Sequence, residues 1–536
     1  MTVVSQPAPG PHTLTHREIL TVFAGLMTAM LLAALDQTIV ATALPTMVGD
    51  LGGLEQLSWV VTAYLLTSTI AVPLYGKISD LYGRTRLFRS AIVVFIAGSA
   101  ACALAGSMGQ LVAFRALQGV GAGGIIALTQ TIIGDIVSPR QRGRYMGYLG
   151  AVYGVASVAG PLLGGSLVDH FSWRWVFTIN VPIGVIALAV TQRNLHLSFT
   201  RLQRRIDFLG AALLAASVTA LLLVTVWGGE TYPWRSPVIL ALTAVGIGAL
   251  AAFLAAERRA EEPLLPLELF RDRIFSVSSV LGFVVGAALF VTITFLPLFL
   301  QIVTGVSATS SGLLITPLMG GLLTSVIISG RLITRWGRYR VFPIVGTAVL
   351  TVGLALLSTM DVATPQLQVS GYMVIVGLGL GLVLQVLVLA VQNSVDVRHL
   401  GTATSAAQFF RSIGGTVGVA AFGALLGHRL AAGLASARLP LPASGLQALL
   451  SRPELIATAP AGQALRGILA DAITGVFLLA VPVAAVAFAL SWLLRELPLR
   501  QTVQGAASLA EGAPVAIELA DEPVTAAGVP SSPTER

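Results

Sequence analysis

Two charged residues stand inside apolar stretches of this chain. Asp36 lies in LLAALDQTIV (Leu31–Val40) and Arg115 in LVAFRALQGVGAGG (Leu111–Gly124). A cation inside a membrane span costs at least ~2.5–3.5 kcal/mol on insertion scales. An arginine there calls for a counter-charge, a cavity, or backbone carbonyls to bond. Both residues lie about 9–10 Å below the same end of their runs at a rise of ~1.5 Å per residue. Matching depth puts them within reach of each other, facing one central cavity. Burial disfavours a lone carboxylate and a neighbouring guanidinium favours it, so an acid that alternates between the two settings binds and releases a proton.

The elements that must position this pair are membrane spans. The chain has 536 residues, 55% hydrophobic and only 10% charged, where soluble proteins carry about 25% charged residues. Apolar runs separated by charged or Pro/Gly-rich breaks fall at 19–43, 56–75, 87–107, 109–133, 145–168, 174–192, 207–227, 237–256, 274–302, 310–333, 341–360, 369–392, 401–427 and 468–494. Each is long enough for a helix to cross about 30 Å of hydrocarbon. An even number of spans places both termini on one side. With the N-terminus in the cytoplasm, most of the 32 Lys and Arg fall in cytoplasmic loops and tails, as the positive-inside rule requires. The expected class is an all-α polytopic membrane protein, with a cytoplasmic N-tail at 1–18, a long outer loop at 428–467 and a disordered cytoplasmic tail at 495–536.

Several chemistries are excluded. The single cysteine, Cys102, makes no intrachain disulfide or thiolate metal site, and no histidine has a partner at metal-ligand spacing. Gly119-x-Gly121-x-x-Gly124 fits a dinucleotide pattern, but it lies in an apolar run with no strand before it. No phosphate-binding G-x-x-x-x-G-K-[ST] occurs, so a nucleotide-driven pump is not expected. The basic residues do not cluster as a nucleic-acid patch. No enzyme activity, cofactor or metal is expected.

The chain also repeats itself. GKISDLYGRTR (Gly76–Arg86) and GRLITRWGRYR (Gly330–Arg340) align Gly76 with Gly330, Gly83 with Gly337, Arg84 with Arg338 and Arg86 with Arg340. A second register aligns 142–160 with 400–418, pairing Gly143 with Gly401 and Gly160 with Gly418. Two ordered matches imply duplicated halves: six spans at 19–192, two extra spans at 207–256, and six more at 274–494. Repeated-half transporters place their substrate path between the halves. In the first loop Gly76 and Gly83 permit a tight turn and close approach. Asp80 can accept from helix N-terminal amides, and Arg84 and Arg86 can pair with it. In the fifth span Gly150/Gly154 and Gly160/Gly164, each four apart, suit close helix contact, and Pro161 removes a backbone donor and is expected to kink the helix.

These motifs together resemble a known family. Gly76–Arg86 is similar to the signature loop of the major facilitator superfamily, with Ile78 and Thr85 as mild departures. Arg115, Gln118 and Gly119 resemble its fourth-span motif, whose arginine is implicated in proton coupling. Gly154, Gly160, Pro161, Gly164 and Gly165 resemble its antiporter motif, associated with export. LDQTIVATALP (Leu35–Pro45), with Ala41 and Thr42 departing, and WRWVFTINVPIG (Trp173–Gly184) resemble signatures of the fourteen-span drug:proton antiporters of QacA/EmrB type. The resemblance implies two six-helix bundles plus two extra helices in the cell membrane, exchanging protons for amphipathic drugs or antibiotics by alternating access, with Asp36 and Arg115 in proton coupling and Gly76, Asp80, Gly83 and Arg84 gating. Candidate cavity residues are Tyr64, Gln118, Tyr153, Gln385, Gln408, Phe409, Phe410 and Arg411, each with packing as the alternative. For Arg411 a substrate contact and a proton-linked contact both stand open. With Asp36 the one acid well inside a span, monovalent cations or neutral drugs are the expected substrates. A dedicated exporter of one metabolite or self-made antibiotic is the alternative, and a non-transporting membrane sensor a third.

Overall fold

The computed structural model describes residues 16–52, 56–195, 207–229, 232–304, 314–437 and 462–499. They form α1 (His16–Leu51), α2 (Leu57–Tyr82), α3 (Arg84–Ala103), α4 (Met108–Ile136), α5 (Pro139–His170), α6 (Trp175–Thr178), α7 (Asn180–Asn194), α8 (Phe208–Trp227), α9 (Pro237–Glu257), α10 (Arg273–Thr304), α11 (Thr316–Trp336), α12 (Val341–Leu357), α13 (Gln366–Ser394), α14 (Leu400–Ser436) and α15 (Gly462–Ser491). Counting α6 and α7 as one interrupted span, 13 are long and apolar enough to cross a membrane. The remaining one, α12, has 17 residues, the lower end of what spans about 30 Å. The fourteen expected spans are therefore all helices.

Helix starts follow local chemistry. Ser107 accepts from Gln110 N ahead of α4, and Asp207 accepts from Gly210 N at 2.8 Å ahead of α8, each satisfying an orphan donor of the first turn. Pro139 and Pro237 open α5 and α9, where a missing N–H costs nothing. The break between α6 and α7 precedes Pro182, which cannot donate to the carbonyl of Thr178.

Packing follows the duplication. In the first half α1 packs on α5 and α7, α2 on α4, and α3 on α4 and α7. In the second, α10 packs on α14 and α15, α11 on α13, and α12 on α13 and α15. These are the same pairings displaced by one half. The halves meet through two equivalent seams, α5 against α11 and α2 against α14. Within them Gly76 lies against Gly401, and Gly143 against Gly330. The repeat thus pairs residues that touch the opposite half in matching ways. Gly83 and Gly337, aligned in the repeat, both take positive φ, 92° and 71°, where glycine alone avoids a Cβ clash.

One expectation is corrected. The stretch 428–467 is not all loop: α14 continues to Ser436 and α15 begins at Gly462. Leu430 and Leu434 of α14 pack on Leu465, Leu469 and Ala472 of α15, and this i, i+4 pairing sustains helix beyond the apolar windows. Pro161 lies within α5, which runs from Pro139 to His170. The N-tail up to residue 15 and the C-tail from residue 500 lie outside the described residues, while 495–499 is non-helical.

The extra pair α8–α9 packs on itself, and α8 also contacts both α2 and α14. Val72 of α2, Leu214, Val218 and Leu222 of α8, and Ala406 and Phe409 of α14 share one apolar cluster. Trp227 of α8 meets Trp59 of α2 edge-on at 5.7 Å. After α9, Glu262 pairs with Lys77 of α2 at 2.8 Å. Two ends of α2 are thus tied to the inserted pair.

The glycine contacts yield a test. A Cβ at Gly143 would meet the Gly330 carbonyl oxygen at 2.8 Å, too close for a real contact, so Gly143→Val must push the seam open. In a Cys102→Ser background, cysteines at Arg140 and Thr334, where the arginine Nε now donates to the threonine carbonyl at 3.3 Å, should cross-link readily. Adding Gly143→Val should cut that yield severalfold at equal membrane abundance; an unchanged yield would contradict the packing described.

Candidate functional site

The expected pair forms. Arg115 Nη1 donates to Asp36 Oδ2 at 2.6 Å, and Arg115 Nε to the carbonyl of Val60 at 3.1 Å. Both arrangements foreseen for the arginine, counter-charge and carbonyl, are therefore present. Asp36 Oδ1 accepts from Gln118 Nε2 and from Asn180 Nδ2, each at 2.8 Å. Gln118 and Asn180 also donate to Ser99 Oγ at 3.0 Å, and Ser99 donates to the Phe177 carbonyl at 3.0 Å. Gln118 Oε1 accepts a second bond from Arg115 Nη1 at 2.7 Å. The guanidinium lies 4.1 Å from the Tyr64 ring centroid, a cation–π distance.

Five segments supply this network: α1, α2, α3, α4 and the α6–α7 break. The break puts the first residue of α7, Asn180, at the level of Asp36. Asp36, Ser99, Gln118 and Asn180 are 0% exposed and Arg115 1%. Three donors converge on one carboxylate, a group that as an anion can only accept. A buried pair is tolerated only when its remaining hydrogen-bonding capacity is met, which the two amides do. Asn180, Ser99 and the buried Cys102, 3.8 Å from Gln118 Oε1, are not singled out by the sequence. The available signal is Pro182 after an asparagine inside an apolar run.

The pair therefore lies inside the first half, sealed from the space between halves. Tyr64 and Gln118, expected to line a cavity, belong to this network instead. No mid-span carboxylate among the described residues is left open between the halves.

The gating loop forms a second site. Asp80 accepts from Arg84 Nη2 at 2.8 Å, from the amides of Gly401 and Thr402 at 3.2 and 2.8 Å, and from Thr402 Oγ1 at 2.9 Å. It thereby caps α14, the helix of the opposite half. Arg84 also pairs with Asp135 of α4 at 2.6 Å. Arg86 is exposed and makes no ion pair among the described residues. Thr334, aligned with Asp80, has no carboxylate to offer α5, and its carbonyl accepts from Arg140. One face of the inter-half seam is thus latched by charge on the α2–α14 side and by neutral contact on the α5–α11 side. Deeper in, Gln130 donates to Gln408 at 3.4 Å and Gln392 to the Gln130 carbonyl at 3.1 Å.

The antiporter-motif residues divide between two neighbours. Gly150 and Gly154 face Val326 and Leu323 of α11, whereas Gly160 faces Thr38 of α1, which donates to the Ala156 carbonyl at 2.9 Å. Gly164 is buried, and a Cβ at Gly165 would meet nothing within 4 Å among the described residues. Phe409 packs in the α8 cluster and Phe410 against Phe270 at 5.9 Å. Gln385 holds a buried Oε1 without a hydrogen-bond partner among the described residues. Tyr153 and Arg411 are half-buried on helices of opposite halves, within electrostatic reach of each other. Gly119 and Gly123 of α4 fit against α2, and Gly121 and Gly124 meet Ala91 of α3, so the dinucleotide-like pattern serves helix packing. On the opposite face Asp50, bonded by Trp173 and Arg174 at 2.9 and 2.7 Å, has its carboxyl held below the usual range by those hydrogen bonds.

The network makes Asn180 a sensitive position. Asn180→Ala removes a donor to a buried carboxylate and should cost about 1.5–3 kcal/mol, read as a lower unfolding temperature in detergent. Asn180→Asp, which sets a second acid against Asp36, should cost more. Equal stability of both variants and the native chain would refute the arrangement.

Comparisons with known proteins converge on this architecture. The family model described as Major Facilitator Superfamily matches residues 26–205 and 200–419. An uncharacterized MFS-type transporter of Mycobacterium tuberculosis is 44% identical over 92% of this chain and 72% of its own length. The multidrug transporter protein MdtP of Bacillus subtilis is 43% identical over 76% of this chain and 75% of its own. Among solved structures, the proton:xylose symporter XylE superposes with a TM-score of 0.59 at 14% identity, covering 93% of this chain and 100% of that one.

Proposed function

The chain belongs to the major facilitator superfamily, and on that premise we propose that it is a proton-driven exporter of amphipathic small molecules across the cytoplasmic membrane. As a member it is a multi-pass membrane transporter and not an enzyme. The observation that carries the proposal is the buried Asp36–Arg115–Gln118–Asn180 network, which places a carboxylate inside a span in the grip of three donors.

With both termini in the cytoplasm, the latched face is the cytoplasmic one. In this state Asp36 is held by three donors. Rocking the halves moves the outer ends of α1 and α4 and the α6–α7 break relative to one another, and any loss of Arg115 or Asn180 leaves a desolvated carboxylate that takes up a proton. A proton taken from outside, where proton potential is higher, is returned inside when the donors close again. Asp80 releases α14 when the cytoplasmic face opens. Proton uptake and substrate release then share one conformational change. The names multidrug transporter protein and multidrug resistance protein, borne by relatives of this chain, favour a range of substrates over one metabolite.

Asp36→Asn should abolish proton-coupled efflux in inverted vesicles while substrate binding to the purified protein persists. The double variant Asp36→Asn/Arg115→Gln, which leaves no uncompensated charge, controls for folding and should fail in the same way. Full coupled efflux by either well-expressed variant would overturn the mechanism.

A further inference from the structure

Arg411 is left unexplained by the proton network and the latch. It lies about 16 Å along α14 from Leu400 at ~1.5 Å per residue, near the middle of a span. Asp36 is sealed behind Arg115, and Asp80 and Asp135 are engaged at the latch. Among the described residues Arg411 makes no ion pair, and the single titratable group within its electrostatic reach is Tyr153.

The position of that tyrosine is informative. The register that aligns 142–160 with 400–418 places Tyr153 opposite Arg411, so the two occupy equivalent sites of the two halves. Their helices, α5 and α14, do not pack against each other; each is paired with a different helix across its own seam. Equivalent residues that face one another without a shared helix interface lie close to the axis relating the halves, inside the space between them. Arg411 reaches that space past α10, where a Cβ on Gly286 would come within 3.1 Å of Arg411 Cγ. Tyr153 packs against the cluster of Ala34, Leu35 and Ala156, an apolar surface beside a polar tip.

We propose that Arg411 and Tyr153 form the head-group site for an anionic amphipath, a carboxylate or comparable oxyanion on an apolar body, between the two halves. A half-buried guanidinium without a protein counter-ion in a low-dielectric span is stabilised by whichever anion enters. Its planar fork suits two oxygens of one carboxylate, and the tyrosine hydroxyl supplies a further donor from the other half. A cation entering the same space meets a like charge and no open carboxylate. This assignment rests on the exporter reading and names the charge of its substrate.

The test uses full-length protein in lipid nanodiscs and three fluorescent probes of one shape: pyrenebutyrate, its methyl ester and pyrenebutylamine. The native protein should bind the acid best and the amine worst. Arg411→Gln should weaken the acid at least ~10-fold, the loss typical of one charge-assisted contact, while leaving the ester within about twofold, and Arg411→Lys should restore part of the difference. Tyr153→Phe should weaken the acid by a smaller factor. Equal or better binding of the amine, no saturable binding of the acid, or an Arg411→Gln variant with native affinity for the acid would each overturn the proposal. Vesicle transport of the same probes separates it from the exporter reading. Export without preference for the acid rejects the head-group site alone, whereas acid binding with no proton-driven export of any probe rejects the exporter alone.

Discussion

The ion pair between Asp36 and Arg115 is the constraint around which the first half is built. Neither charge tolerates the interior of a span by itself, and the pair is acceptable there because Gln118, Asn180 and the Val60 carbonyl meet its remaining capacity. That requirement reaches into backbone structure. Asn180 arrives at the right height because the sixth span is broken ahead of Pro182. Ser99 accepts from the two amides and donates its own hydroxyl hydrogen bond to the carbonyl of Phe177, beside the break. The second half holds no such mid-span ion pair among the described residues: the core it builds from α10 to α15 is aliphatic and aromatic.

A second balance operates where the halves meet. The seams are equivalent in helix pairing and in their glycine contacts, yet only one has a carboxylate. Asp80 binds the amide end of α14 as an anion binds any helix N-terminus, and Arg84 ties the same carboxylate to Asp135. Thr334 stands in the matching place and offers no charge. Duplication supplied the geometry, and later change at single positions gave the halves different work. Tyr153 and Arg411 repeat the theme, as equivalent positions with unlike chemistry.

Much of this is legible in the sequence, for identifiable reasons. Long apolar runs and scattered arginines announce spans, and spacing between glycines and charges survives duplication, so fourteen helices and two halves can be read. Asp36 and Arg115 stand out because charge in such runs is costly. What the sequence hides is direction. Tyr64 and Gln118 look alike as cavity residues until the helix face is known, and both turn inward to Arg115. Phe409 turns toward α8. Ser99 and Asn180 are small polar residues in apolar surroundings, and nothing in a linear pattern separates a network member from a residue bonded to its own helix. The extension of α14 to Ser436 escapes because its leucines follow polar and small residues and find their partners only in α15.

The inserted helices also decide how lipid meets this protein. With α8 seated over both α2 and α14, the groove between those helices is filled with side chains on its bilayer side, and acyl chains there touch α8 rather than the seam. The α5–α11 seam has no such cover among the described residues. The two seams are thus unequal from outside, one boarded over by the insertion and one bordered by the glycines of α5. Symmetry within the fold does not extend to the surface it turns toward the membrane.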